Sequence, residues 1–204
     1  MYQGRLVGLR EFKAEDLPRI HKWVNDERLN KYLSFATFPR TVEQTKAFLE
    51  TRLRPTGRSE VDFVVYTLSD RTQRYIGSVG LKNIDWLHGH AELHAGLGGV
   101  EYLGKGYGSD ATRLLVRYGF DRLNLNKIWL QVIEFNIGGR KAYENAGFRV
   151  DGRLRAHLRY GGKTHDLLIM SILRDEYYAR LEAVPEQAPP PAKPLRRSGS
   201  KRGA

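Results

Sequence analysis

Residues 96–108 hold six glycines in the run Gly96-Leu97-Gly98-Gly99-Val100-Glu101-Tyr102-Leu103-Gly104-Lys105-Gly106-Tyr107-Gly108. Before it, Ala91 to Leu97 reads as a strand; after it, Ser109 to Leu123 reads as a helix, with Ala111, Leu114, Leu115, Tyr118 and Phe120 as its apolar contacts. Glycines at 104, 106 and 108 leave the main chain bare, so consecutive N–H groups can converge on an anion. The helix that follows adds its unpaired N–H groups and the positive end of its dipole. A pyrophosphate fits such a turn. The ATPase phosphate loop does not describe it, because Gly106 rather than Ser or Thr follows Lys105. Nor does the dinucleotide fingerprint, because neither Gly96/Gly98 nor Gly104/Gly106 is followed by the required third glycine.

The rest of the chain alternates short strands with a few helices. Strand patterns cover Arg5 to Arg10, Asp62 to Leu68, Tyr75 to Ile84, Lys127 to Val132, Phe148 to Arg159 and Thr164 to Leu173, the last two joined by the turn Tyr160-Gly161-Gly162-Lys163. Helices are expected near Lys13 to Val24, with Ile20, Trp23 and Val24 inward, and from the cap Thr41 to Leu53, with Val42, Thr45, Phe48 and Leu49 on one face. Gly139 to Asn145 reads as a third, ended by Ala146-Gly147. The aromatic stretch Tyr32 to Pro39 either walls a pocket or packs beneath the helices, and Trp23, Trp86 and Trp129 are expected in the core. The layout is α+β, with a mixed, mainly antiparallel sheet.

The chain has no cysteine, which removes disulfides, thiolate metal sites and cysteine nucleophiles. No apolar run is long enough to span a bilayer, no signal core opens the chain, and a cytoplasmic location is expected. Neither the His and Asp spacing at His165-Asp166 nor any other stretch makes a metal-ligand pattern, so no metal is expected. Five of the eight prolines fall between Pro185 and Pro194 in a basic stretch, so residues 1–182 are read as one domain and 183–204 as a disordered basic tail. The net charge of +11 favours anionic partners, whether a phosphorylated carrier or nucleic acid.

The stretch Glu101 to Ala111 resembles the phosphate motif of the GNAT acetyltransferases, with Gly106 and Gly108 at its two small positions and Leu103 where the family usually has Gln or Arg. Glu134-Phe135-Asn136, followed by Arg140 to Phe148 with Tyr143 and Gly147-Phe148, resembles the family's second signature. The resemblance covers Leu6 to Tyr178, closest to the branch of ribosomal-protein amino-terminal, polyamine and amino-sugar acetyltransferases. It implies a GNAT fold with a splayed central strand pair, acetyl-CoA as co-substrate, an amine acceptor and direct transfer between them. Homodimers are common among such proteins.

The same resemblance implies the site. Gly96, Leu97 and Gly98 would pair with pantetheine as an added strand, Asn136 would bond it from the other side, and Leu103, Gly104, Lys105, Gly106, Tyr107, Gly108 and Ser109 would hold the phosphates. An N–H near Leu97 would face the oxyanion. Tyr143 would be the general acid. For the base, period-two alternation puts Glu92, His94, Gly96 and Gly98 on one face, with Glu92 preferred, His94 the alternative, and a cross-strand ion pair the competing role for Glu92. Asn136 has a competing role as a cap, and His165 with Asp166 is expected at the acceptor pocket. Two other functions stay open: an acyl-CoA sensor without turnover, compatible with Leu103, or weak RNA or ribosome binding through the basic tail.

Overall fold

Alternating burial along the strands builds the sheet in a computed structural model that describes residues 2–32, 38–54 and 58–183. The elements in chain order are β1 (Tyr2–Gln3), β2 (Val7–Arg10), α1 (Leu17–Val24), α2 (Glu27–Asn30), α3 (Val42–Leu53), β3 (Val61–Thr67), β4 (Gly77–Asp85), β5 (His90–Leu97), α4 (Tyr107–Asp121), β6 (Lys127–Ile133), α5 (Ile137–Ala146), β7 (Arg149–Tyr160), β8 (Lys163–Leu173) and α6 (Arg174–Glu182). The tail beyond Ala183 and most of the aromatic stretch after Tyr32 lie outside the described residues.

All strands join one sheet in the order β1-β2-β3-β4-β5-β6-β8-β7. Every neighbouring pair is antiparallel except β5 with β6. Val64 and Val65, adjacent in β3, belong to opposite cores, which shows that both faces of the sheet are covered. On one face Val79, Leu81, Ala91, Leu93, Ile128, Leu130 and Met170 pack under Leu114, Leu115 and Phe120 of α4. On the other, Val64 and Tyr75 meet Ile20, Trp23, Val24 and Leu49 from α1 and α3. Each such side chain stabilises the fold by about 1.5–3 kcal/mol when fully buried. The result is α+β, three layers thick, with helices on either side of the sheet.

Local chemistry explains most of the helix ends. Thr41 caps α3 by accepting from the N–H of Gln44, whose side chain reaches back to the Thr41 N–H in a capping box. Gly147 ends α5 in the left-handed conformation at φ 107°. Val42, expected inward, stands half exposed in the first turn of α3. Trp86, expected in the core, is 52% exposed. It sits at the tip of the β4–β5 hairpin, past a register shift between Lys82 and Asp85 and past Asn83 at φ 51°, where strand alternation no longer decides burial.

Candidate active site

The parallel contact between β5 and β6 is short. His90, Ala91 and Glu92 stand beside Lys127, Ile128 and Trp129, and the pairing stops there. Beyond that point β5 continues to Leu97 paired only with β4, and β6 continues to Ile133 paired only with β8. The two strands diverge and leave facing edges open along Leu93–Leu97 and Leu130–Ile133. Gly98 spends its N–H on the carbonyl of Ile76 at 2.7 Å. Since successive N–H groups alternate sides of a strand, that of Leu97 faces the other edge, toward the gap. An extended amide-bearing chain can add itself there as a strand.

The loop after β5 closes one end of the gap. Val100–Tyr102 forms a 3-10 turn, and Leu103, 43% exposed, leads into Gly104 at φ 72° and Gly106 at φ 81°. Both glycines occupy the left-handed region, which a side chain resists by about 1–2 kcal/mol. Among the described residues a Cβ on Gly104 would meet nothing within 4 Å, which suits close approach of a ligand to this main chain. Gly106 is the N-cap of α4, and among the described residues no side chain caps that helix end; its N–H groups can serve an anion. Leu97 ties strand to loop, its Cδ1 lying 3.9 Å from where a Cβ on Gly108 would stand. Lys105 is exposed, while Tyr107 and Ser109 are partly buried in the first turn. The cradle suits a diphosphate followed by the amide-bearing arm of CoA.

Across the gap, β6 runs into Glu134, Phe135 and Asn136. Asn136 is the N-cap of α5, its Oδ1 accepting from Gly139 N–H at 2.9 Å. A Cβ on Gly139 would lie 2.6 Å from Asn136 Nδ2, so the glycine permits that close approach. Tyr143 stands half-buried on α5, 6.0 Å from the Phe148 ring, and burial pushes its phenol up to about 12. The phenol therefore stays neutral across the physiological range.

The face of β5 that looks toward α1 and α3 carries Glu92, His94, Gly96 and Gly98. Glu92 is 8% exposed, with Lys82 Nζ 3.1 Å from one oxygen and Asn83 Nδ2 donating to the other at 3.0 Å. Lys82 stands directly opposite it on β4, so the cross-strand ion pair is present, with the carboxylate buried and the Lys82 side chain 43% exposed. At the far end of β6, Phe135 contacts Tyr32, Tyr160 and His165 at ring-centroid distances of 6.3, 5.8 and 4.7 Å. Glu134 is held by Arg153 at 2.8 Å and lies 3.4 Å from His165, and Asp166 is held by Arg153 and by the N–H of Ala156.

Two groups that position this site lie outside the sequence expectations. Asp110, in the first turn of α4, is 3% exposed and accepts from the N–H groups of Leu6 at 2.7 Å and Val7 at 3.1 Å, tying the start of β2 to the phosphate loop. Asp62 on β3 meets His94 Nε2 at 2.7 Å. Asp110 lies inside the Glu101–Ala111 stretch without occupying its small positions, and Asp62 belongs to no motif; an Asp in a helix or strand gives no signal until its partners are known.

Residues 6–149 match the model of the acetyltransferase (GNAT) domain. The chain is 30% identical to an uncharacterized N-acetyltransferase of Bacillus licheniformis, over 87% of this chain and 97% of that one. It is also 30% identical to the spermidine N(1)-acetyltransferase of Escherichia coli, over 88% and 92% respectively. Among solved structures, the spermidine N-acetyltransferase of Vibrio cholerae in complex with CoA and spermine superposes with a TM-score of 0.74 at 27% identity, covering 84% of this chain and 98% of that one. The domain match, the splayed strands and the glycine cradle agree: the chain belongs to the GNAT acetyltransferases, and it is an acetyl-CoA-dependent acyltransferase.

Proposed function

We propose that the chain moves acetyl from acetyl-CoA directly to a primary amine on a small molecule or a protein amino terminus. The observation that carries this reading is the open edge of β5 from Leu93 to Leu97, leading straight into the amide cradle at Gly104–Ser109. In it, Gly104 to Ser109 take the diphosphate and Gly96 to Gly98 align the pantetheine arm, with Asn136 on the opposite wall. Acetyl-CoA supplies the activated thioester carbonyl.

The chain's own groups then meet the needs of acyl transfer. The Leu97 N–H, turned to the gap, donates to the oxygen that gains charge. Tyr143 gives its proton to the departing sulfur. The attacking amine must lose a proton on the face of β5 that carries Glu92 and His94. Glu92 can take it only by giving up a bond to Lys82 or Asn83.

The acceptor enters, in this reading, past Tyr32, Phe135, Tyr160 and His165. Glu134 and Asp166 on that rim are already paired with Arg153, which disfavours a polycation there and favours an acceptor with a single reacting amine. Spermidine, amino sugars and peptides with free amino termini should therefore be compared by thiol release from acetyl-CoA. Single-amine acceptors are expected to give the higher kcat/KM. A preference for spermidine would overturn the acceptor assignment, and thiol release with none of them would overturn amine transfer.

A further inference from the structure

From Gly152 to His165 the chain carries Arg153, Arg155, Arg159 and Lys163 and no acidic residue. This stretch is the outer half of the β7–β8 ribbon, and β7 is an edge of the sheet. Gly161 and Gly162, at φ 56° and 74°, make the two-residue turn that sets Tyr160 opposite Lys163. Leu158 stands opposite His165, so by alternation Tyr160, Lys163 and His165 share one face of the ribbon. Both Tyr160 and His165 contact the Phe135 ring, which makes this the face at the rim assigned above to acceptor entry. Lys163 stands on that rim, two residues beyond His165, and Arg159 backs it from the opposite face, paired with Thr164.

The cations of the ribbon are not alike. Arg153 is engaged by Glu134 and Asp166, and Arg155 lies in the field of Asp166. Arg159 and Lys163 are exposed, and among the described residues neither side chain has an ion-pair or hydrogen-bond partner. Charge on an edge strand also discourages edge-to-edge pairing, but either sign serves that end. Here only one sign is present. Two unpaired cations and the 50% exposed ring of Tyr160, at the mouth of a site for amines, suit an anion carried by the same molecule as the amine.

We propose that this tip selects acceptors whose amino terminus is followed by acidic residues, with Lys163 as the main contact and Arg159 as the second. The inference rests on the amine-transfer reading above and narrows its acceptor to an acidic peptide or protein terminus. Strand rise puts Lys163 roughly 7 Å beyond His165, about two residues of an extended peptide. Carboxylates from the third residue onward then reach the tip when the first residue's amine lies in the gap. Two cations on a narrow turn match a short run of Asp and Glu. A nucleic acid needs more phosphate contacts to bind at physiological salt, and the pairing of Arg153 with Glu134 and Asp166 leaves no continuous basic track behind the tip.

Peptides with the same first two residues, and either Asp and Glu or Asn and Gln at positions three to six, test this on the full chain. The acidic peptide should show about tenfold higher kcat/KM at low salt, falling toward about twofold at high salt. Lys163→Glu should lower kcat/KM for the acidic peptide about tenfold, through KM, and raise it for a peptide with Lys at those positions. Arg159→Glu should give the same pattern at about threefold. Arg122→Glu, an exposed charge at the far end of α4 from the phosphate loop, should leave the preference unchanged. Fluorescence anisotropy of the labelled acidic peptide, with CoA present, reads the same preference without turnover. Equal kcat/KM for acidic and neutral peptides would overturn the proposal, as would an effect of Lys163→Glu that does not reverse with the basic peptide. An RNA oligonucleotide that inhibits at physiological salt, and no longer does so in Lys163→Glu, would overturn it too and give the tip to nucleic acid. Peptide binding that depends on Lys163 without any thiol release would uphold the tip's selectivity and overturn the transfer reading. Neither binding nor release would overturn both.

Discussion

Glu92 and Trp129 form the last pair that β5 and β6 make before the strands part. Every group assigned to the site follows from that parting. Up to Glu92 the carbonyls and N–H groups on the inner edges are used within the sheet; beyond it they face a gap. The glycine loop and α4 close one end of the gap, and Phe135, Asn136 and α5 bound the other.

Tyr143→Phe removes the proposed proton donor while leaving the ring in place against Phe148. It should lower kcat by about 100-fold with little change in CoA affinity, measured by thiol release and by calorimetry. Because burial raises the phenol to about 12, the proton is present below that pH and is lost only as pH rises through it. Any alkaline fall in activity between pH 8 and 10 must then persist unchanged in rate-limited Tyr143→Phe. A limb in that range that disappears with the hydroxyl would contradict the raised phenol, and an unchanged kcat in Tyr143→Phe would contradict the donor role.

Asn136→Ala separates two roles. The cap on α5 should cost about 1 kcal/mol in a urea melt, because the Gly139 N–H loses its acceptor. If Asn136 also bonds pantetheine, CoA should bind several-fold more weakly than that destabilisation explains. Unchanged CoA affinity in calorimetry would leave it as a cap alone.

Asp110→Ala tests the tie between β2 and the phosphate loop. The buried carboxylate accepts two backbone N–H groups that would be left without partners, so stability should fall by about 2–4 kcal/mol in chemical denaturation. A loss below about 0.5 kcal/mol would show that the tie contributes nothing to the fold.

Gly80→Ala places a methyl in the slot between Asp62 and His94. Its Cβ would also lie 2.7 Å from the carbonyl of Val61, which is backbone and yields little. Stability should fall by about 1–3 kcal/mol, and the resonances of His94 should shift. Wild-type stability together with an unchanged His94 ring would show that the slot is not tight.

Much of this was legible in the amino-acid sequence, for identifiable reasons. The strands from Val61 to Leu97 and the helix after Gly106 announce themselves because alternation and helical spacing reflect burial directly. The phosphate cradle is readable because glycines at 104 and 106 serve a backbone conformation, not a side-chain contact. The short helix Glu27–Asn30 and the helix Arg174–Glu182 were not expected: one is a single turn capped by Asp26, and the other buries none of its residues fully. Trp86 departs from the core expectation because a hairpin tip exposes even a large apolar ring. The pairing of Asp62 with His94 depends on the register of three strands and on an absent side chain at Gly80. No local pattern in the sequence encodes that.

Calorimetric titration of CoA into the wild type and Gly106→Val tests the cradle most directly. Gly106 holds φ 81°, and a Cβ there would stand 3.2 Å from Leu6 Cδ1, so valine must distort the turn that aims the amides. The wild type should bind CoA, and Gly106→Val should bind it at least tenfold more weakly while keeping a cooperative thermal transition. Equal affinity in the two proteins, or no binding by the wild type, would contradict a diphosphate held by this loop.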